Sequence, residues 1–253
     1  MIPTDLVTWL LVFARSSAML AIFPVFSISH FPVQLRIALG ALLAFFISVT
    51  LPAVAGVGLW GLIGLFGLEV CVGLLLGFVG RVLFFGLDAA GNVIATEMGL
   101  MMAVEVNPLS DARSDAPGTI LNFLAITLFL SLDLHHWFLR GFQRTYALVP
   151  IGAAHLNPAA LADLVARTGE IFVIAVQLAA PLIAVSFVIT LTFSMVGRAV
   201  PQMNVFSESF AFRVMAGLVV FGLTLQFMAE HIANYLHRLP EDMLRVAQLI
   251  GTG

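Results

Sequence analysis

Uncharged apolar runs alternate with short polar stretches along the chain. Five runs without a charged residue occupy residues 16–35, 37–68, 116–132, 171–197 and 214–229, and each holds 16 to 32 residues. A helix that crosses about 30 Å of hydrocarbon needs roughly 20 mostly apolar residues. The pattern therefore predicts helices of the membrane type.

Turn signals inside the apolar pattern raise the number of segments. The 37–68 run is long enough to turn back on itself, and Pro52, Gly56 and Gly58 indicate where it turns. The apolar pattern resumes after Glu69. We therefore expect an all-α integral membrane-type fold with about six to eight apolar, kinked helical segments.

The organisation of the chain is simple. No repeat of about 20–50 residues and no low-complexity linker divides it, so residues 1–253 are predicted to form a single domain. Asp5 stands where a signal peptide would carry positive charge, and we expect the N-terminal segment to be retained. The residue pattern of 237–253 predicts a short, solvent-exposed amphipathic helix.

Composition excludes several classes of protein. Of the 253 residues, 61% are hydrophobic and 10% are charged, against roughly 45–50% and about 25% in a soluble domain. A net charge of -3 supplies no basic field for nucleic acid. All 11 basic residues are arginines. The chain therefore lacks the lysine that P-loop, Schiff-base and kinase chemistry requires.

The sequence also offers no catalytic or metal-binding set. The single Cys71 excludes a disulfide framework and a multi-cysteine metal site. Asp133, His135 and His136 suggest a metal, but side chains of adjacent residues on a helix point about 100° apart. No nucleophile is paired with a base. We therefore expect no enzyme, no metal and no other cofactor.

Charged residues and prolines interrupt several of the apolar segments. Arg15, Glu69 and Arg81 lie within or beside them, and Pro24 and Pro181 break them. Broken helices at membrane depth survive only where protein or water meets the freed backbone groups, so packing with other subunits is predicted. Glu69 either relays protons or forms an ion pair with Arg15 or Arg81.

The positive-inside rule does not decide the orientation in a six-segment arrangement. One side would hold Arg140, Arg144, Arg167, Arg238 and Arg245, and the other would hold Arg36, Arg113, Arg198 and Arg213.

Two local patterns have both a functional and an ordinary interpretation. Gly73 and Gly77 form a small-xxx-small pattern that lets helix backbones approach closely, either between subunits or within the chain. The methionines at positions 98, 101 and 102 either conform around a variable partner or fill a core. The chain then breaks at Asn107-Pro108 into a short loop that ends near Pro117-Gly118, and this loop is either an aqueous connection or the lining of a water-filled path.

Residues 197–206 read GRAVPQMNVF after a long apolar helix, and this stretch resembles a signature of the FliR family. That family is the R subunit of the flagellar protein-export gate, and its injectisome relatives are the T subunits of type III secretion systems. Residues 207–212, SESFAF, depart from the family pattern, which has a glycine and a proline there. Within residues 197–206, the positions that we assign to the family motif and to subunit packing are Arg198, Pro201, Gln202, Asn204 and Phe206. Other positions of the chain also resemble the family pattern and are assigned in the same way: Arg15, Pro24, Pro32, Arg36, Glu69, Gly73, Gly77 and Gly91.

The resemblance implies a place in a larger assembly. One copy of the chain would form kinked hairpins and join several P-type and Q-type subunits in a helical, pore-containing export gate. Further partners would be the FlhB-type switch subunit, the nonamer of the export apparatus and, transiently, unfolded exported proteins. The assembly would lie in the bacterial inner membrane at the centre of the flagellar basal body, partly raised above the bilayer plane.

The resemblance also implies a plug that closes the channel next to a methionine-rich gasket. The plug and gasket candidates are Met98, Met101, Met102, Val106, Asn107, Pro108, Leu109, Ser110, Asp111, Ala112 and Arg113.

The predicted function is that of a structural, channel-forming subunit for flagellar protein export. An injectisome export-gate subunit is the alternative within the same class. A proton-coupled transporter of small solutes, with Glu69, Asp88 and Glu97 as its proton path, is the alternative from another class.

Overall fold

The fold is entirely helical in the residues that the structure describes. A computed structural model describes residues 4–27, 32–101, 116–155, 157–200, 202 and 204–251. These residues contain no β-strand, and the all-α prediction is confirmed. The helices of the described part of the chain are α1 (Thr4–Ile22), α2 (Pro24–Ser27), α3 (Val33–Ser48), α4 (Leu59–Glu97), α5 (Ala116–Ser131), α6 (Leu134–Leu148), α7 (Pro158–Ala199) and α8 (Val205–Gly251).

The helices form two compact units. Unit 1 comprises Met1–Val82, Asp133–Thr168 and Leu236–Gly253, and unit 2 comprises Leu83–Leu132 and Gly169–Tyr235. Three helices, α4, α7 and α8, are 39 to 47 residues long and contribute to both units. The prediction of a single domain over residues 1–253 stays a prediction.

Unit 1 is built around α1. Ser16 Oγ on α1 donates a hydrogen bond to the Gly40 carbonyl oxygen on α3, at 3.1 Å. At the end of α1, the Phe23 ring lies 4.2 Å from the Phe138 ring of α6, centroid to centroid. Large apolar side chains around these contacts are fully buried, including Leu11 and Met19.

Unit 2 is built on the second half of α4. Leu87 and Ile94 of that helix are fully buried, as is Leu121 of α5. A Cβ atom added to Gly86 would lie 2.7 Å from Cγ2 of Ile174 on α7. The missing side chain therefore allows α4 and α7 to pack closely.

Among the described residues, four helices are long and apolar enough to cross a membrane by length and composition: α1, α4, α7 and α8. The number is up to five if the broken pair α5 and α6 counts as one span. Their outer faces carry large apolar side chains, such as Trp60, Phe172 and Met215. Apolar patches of this extent are typical of surfaces that contact lipid or other proteins.

The turn that the sequence predicts in the 37–68 run is confirmed. Helix α3 ends at Ser48 and α4 begins at Leu59. Between them Gly56 has φ +75°, a left-handed conformation that favours glycine.

The prediction for residues 237–253 is partly wrong. The segment is helical up to Gly251, but it continues α8 through Pro240 instead of forming a separate helix. Its apolar face is buried in unit 1, with Met243 and Ala247 fully buried and Val246 2% exposed. The contacts of this face with distant parts of the sequence were invisible to a local pattern.

Candidate functional site

Two opposite charges are completely buried in unit 1. Arg15 on α1 and Glu69 on α4 are both 0% exposed. Arg15 Nε donates to Glu69 Oε2 at 2.5 Å, and Arg15 Nη2 donates to Glu69 Oε1 at 3.0 Å. This is the two-pronged geometry that a planar guanidinium offers a carboxylate.

The remaining polar atoms of the pair bind the turn that follows α6. Arg15 Nη1 donates to the Val149 carbonyl oxygen at 3.1 Å, and the Gly152 amide donates to Glu69 Oε1 at 3.0 Å. The guanidinium carbon lies 4.1 Å from the centroid of the Tyr146 ring, within the range of a cation–π contact. Four segments, α1, α4, α6 and the turn, therefore meet at one ion pair.

This geometry supports the ion-pair interpretation of Glu69 over proton relay. A buried charge is stable only when it is paired and hydrogen-bonded, and both conditions hold here. Arg81, the other candidate partner, donates instead to the Ile22 carbonyl oxygen at 3.1 Å.

Two glycines set the distance between the helices that hold the pair. A Cβ atom on Gly73 would collide with the Arg15 carbonyl oxygen, and one on Gly77 would lie 2.8 Å from the Met19 carbonyl oxygen. The predicted close approach of helix backbones is therefore present, and its partner is α1 of the same chain. Because α1 lies this close, Arg15 reaches Glu69, one turn before Gly73.

The C-terminal end of α8 holds the loop before α7. The His155 amide donates to the Ile250 carbonyl oxygen at 2.8 Å, and Asn157 Nδ2 donates to the Leu249 carbonyl oxygen at 2.7 Å. Asn157 Oδ1 also accepts from the Ala160 amide at 2.7 Å, which caps α7. Sequence reasoning missed this residue, although asparagine followed by proline is a common helix start.

A second ionic cluster joins the beginning of α7 to the end of α8. Arg167 Nε lies 2.7 Å from Asp163 Oδ2, and Arg167 Nη1 lies 3.1 Å from Asp242 Oδ1. Arg245 Nε lies 3.2 Å from the other oxygen of Asp163. The sequence signal for the first contact was the spacing of four residues between Asp163 and Arg167. The link to α8 had no local signal.

The segment before the predicted plug begins at a defined helix end. The Gly99 amide donates to the Thr96 carbonyl oxygen and the Leu100 amide to the Ala95 carbonyl oxygen, both at 2.9 Å. Gly99 has φ +77°, so these bonds form a Schellman motif that terminates α4. Helix α4 therefore ends at Glu97, four residues before Met101.

The methionines of this region differ in environment. Met98 is 2% exposed, and a Cβ atom on Gly217 would lie 2.6 Å from its Cγ. Met98 therefore fills the core of unit 2, which is the ordinary interpretation for this residue. Met101 is half-buried. The other plug and gasket candidates, Met102 and residues 106–113, lie outside the described residues.

The motif between α7 and α8 presents polar groups at the surface. Arg198 in the last turn of α7 is exposed, as are Gln202 and Asn204. Asn204 Oδ1 accepts from the Ser207 amide at 3.4 Å, so Asn204 also caps α8. The departing residues 207–212 are helical. Pro201 and the side chain of Phe206 lie outside the described residues.

The other motif positions lie at helix ends or inside helices. Pro24 begins α2, exposed Pro32 stands at the N-cap position of α3 without a side-chain cap bond, and Gly91 is buried in α4. Arg36 is half-buried, and its Nε has no hydrogen-bond partner among the described residues. The subunit-packing roles of Pro24, Pro32, Gly91 and Arg36 stay predictions.

The structure brings Asp133, His135 and His136 closer together than their spacing predicts. Their potential ligand atoms all lie within 4.8 Å of one another. Asp133 has φ 55° at the start of α6. His136 Nδ1 lies 3.7 Å from Asp133 Oδ1. The expectation that the chain binds no metal stays a prediction.

Comparison with known proteins identifies relatives over most of the chain. The model of the family described as bacterial export proteins, family 1, matches residues 6–239. The flagellar biosynthetic protein FliR of Caulobacter vibrioides is 32% identical over 222 residues, covering 87% of this chain and 88% of that protein. The protein of the same name from Escherichia coli is 27% identical over 244 residues, covering 93% and 92%. The Yop proteins translocation protein T of Yersinia pestis is 31% identical over 216 residues, covering 81% of each chain.

Proposed function

Because the chain belongs to the bacterial export proteins, family 1, we propose that it is a structural, channel-forming subunit of the flagellar type III protein export gate. It serves the export of unfolded flagellar proteins and thereby flagellum assembly. The observation that carries this function is the extent of the similarity to flagellar biosynthetic proteins: the alignments with those of Caulobacter vibrioides and Escherichia coli cover 87% and 93% of the chain.

The chain has a structural role in the gate and carries out no catalysis. Its buried charges are used to hold helices together, as the Arg15–Glu69 pair does. A channel for many different unfolded sequences is better lined by adaptable apolar groups than by a specific site. No cofactor is needed for that role.

The chain is membrane-associated, and we place it in the bacterial inner membrane at the centre of the flagellar basal body. The apolar helices α1, α4, α7 and α8 support a membrane location. A position partly raised above the bilayer would explain why arginines do not collect on one side, since the positive-inside rule applies to segments that cross the bilayer.

The proposed partners are P-type and Q-type gate subunits, the FlhB-type switch subunit and the nonamer of the export apparatus. Large exposed apolar side chains on α7 and α8, such as Phe172, Phe187 and Leu223, support contacts with other apolar helices. Exposed Arg198 and Gln202 offer hydrogen-bond donors at the motif between these helices.

Residues 106–113 are proposed to form the plug of the channel, with Met101 and Met102 at its base. The Schellman motif at Gly99 supports this assignment, because it ends α4 and fixes the point from which the chain continues. A loop that closes a channel needs such a fixed anchor.

Deletion and replacement of the gene in its own bacterium test the function. Loss of the chain is expected to abolish secretion of hook and filament proteins and swimming motility, and the wild-type gene is expected to restore both. Normal secretion of these proteins in the deletion strain would overturn the proposal.

An injectisome subunit is the second candidate, favoured by the 31% identity to the translocation protein T. The two candidates differ in cargo, so the same deletion strain distinguishes them. Intact flagella combined with lost secretion of virulence effectors would favour the injectisome.

A further inference from the structure

A groove in unit 1 lies between α6 and the last part of α8. It has a volume of about 340 Å³, within the range of roughly 300–1,000 Å³ typical of ligand sites. Trp137, Arg140 and Arg144 line one wall, and His237 and Glu241 line the other. The helices meet at Gly141, where an added Cβ atom would lie 3.3 Å from Cβ of Pro240.

The groove has an excess of positive charge. Arg140 and Arg144 are separated by one helical turn and therefore lie on the same face of α6. Neither forms an ion pair in the described part of the chain, whereas Arg15 and Arg167 are both paired. Glu241 is the one carboxylate among the described residues that line the groove. Arg140, Arg144 and Glu241 together give the groove a net charge of about +1.

An exposed aromatic side chain lies beside the arginines of the groove. Trp137 is 59% exposed, and the Arg140 guanidinium carbon lies 5.8 Å from its ring centroid. Exposed tryptophans with nearby arginines are typical of the headgroup level of a bilayer. Helix α6 as a whole buries one face, which includes Phe138 and Phe142, and exposes the face that carries the arginines.

We propose that this groove binds the phosphodiester of an anionic phospholipid. The two guanidinium groups would bind phosphate oxygens with paired N–H donors, a geometry that suits arginine better than lysine. The apolar walls, which include Leu134 and Leu244, would contact the glycerol and the first acyl carbons. Binding of a lipid would stabilise the contact between α6 and the end of α8, whatever cargo the channel carries.

The test uses the purified full-length chain in nanodiscs that contain equal amounts of phosphatidylglycerol and phosphatidylcholine. Native mass spectrometry after release from the nanodisc counts the lipids that stay bound. We expect phosphatidylglycerol to be retained in preference to phosphatidylcholine. The double substitution Arg140→Gln and Arg144→Gln is expected to reduce that retention about tenfold or more, since each basic residue near an anionic surface adds appreciably to binding.

Two further variants separate binding from folding and from general charge. Arg238→Gln removes an exposed arginine next to His237 that does not line the groove, and retention is expected to stay at the wild-type level. Glu241→Gln removes the opposing carboxylate and is expected to increase retention. The second result is informative even if the double variant does not fold.

Three outcomes would overturn the proposal. Equal retention of the two lipids would exclude a site for net anionic lipid. Displacement of the lipid by millimolar inorganic phosphate would assign the groove to a soluble anion. Unchanged retention in the double variant, together with loss of association with other gate subunits, would assign the arginines to an acidic protein surface.

Discussion

Replacing Glu69 with glutamine leaves the buried Arg15 without a counter-charge. The wild-type carboxylate accepts two hydrogen bonds from Arg15 and one from the Gly152 amide, and both charged side chains are 0% exposed. Removing one partner of a buried pair costs about 3–5 kcal/mol, because the remaining charge is left unpaired away from water. Glutamine keeps the shape and an acceptor, so we expect a loss near 3 kcal/mol for Glu69→Gln and near 5 kcal/mol for Glu69→Ala.

Thermal unfolding of the purified chain in detergent measures this loss. At roughly 2–4 °C per kcal/mol for a chain of this size, Glu69→Gln should lower the melting temperature by about 6–12 °C. The matched control is Glu230→Gln on the exposed surface of α8, which should change stability by less than about 0.5 kcal/mol.

A double-mutant cycle completes the test. Arg15→Met together with Glu69→Met removes both charges, and the combined loss should be clearly smaller than the sum of the two single losses. A Glu69→Gln protein with wild-type melting behaviour and a pH-dependent defect in flux would refute the structural role and favour proton relay.

Three further results are expected. Gly73→Ala should lower the free energy of unfolding by about 1–3 kcal/mol, because the added Cβ collides with the Arg15 backbone. The control Gly67→Ala has open space around its added Cβ and should not destabilise the chain. The melting curves of the two variants test this difference. Asn157→Ala should lower the free energy of unfolding by about 1–2 kcal/mol, since it removes the α7 cap and the hydrogen bond to the Leu249 carbonyl oxygen on α8. An unchanged melting temperature would contradict that role. Deletion of residues 107–113 should raise ion conductance across membranes that contain the assembled gate, and unaltered conductance would remove the plug assignment.

The helical fold could be predicted from the sequence because apolar run length has a direct physical meaning in a membrane. The turn at Gly56 and the close approach at Gly73 were predictable for a similar reason, since glycine there has a local steric purpose. The sequence left open which arginine pairs with Glu69. Arg15 lies 54 positions away, and only the packing of α1 on α4 selects it.

The contacts of the C-terminal part of the chain were the least predictable from the sequence. The C-terminal part of α8 has the pattern of an exposed amphipathic helix, yet Met243 is fully buried and Leu249 binds the loop before α7. A local pattern shows that one face is apolar and does not show what covers it. The environment of Met98 was ambiguous for the same reason, because methionine fills cores and lines flexible surfaces equally well.

The most direct test of the export-gate assignment is the native mass of the complex formed when the chain is co-expressed with its P-type and Q-type partners in mild detergent. We expect one discrete complex that contains a single copy of this chain and several copies of the partners. A chain that purifies alone or as a homodimer, folded and unassociated, would contradict it.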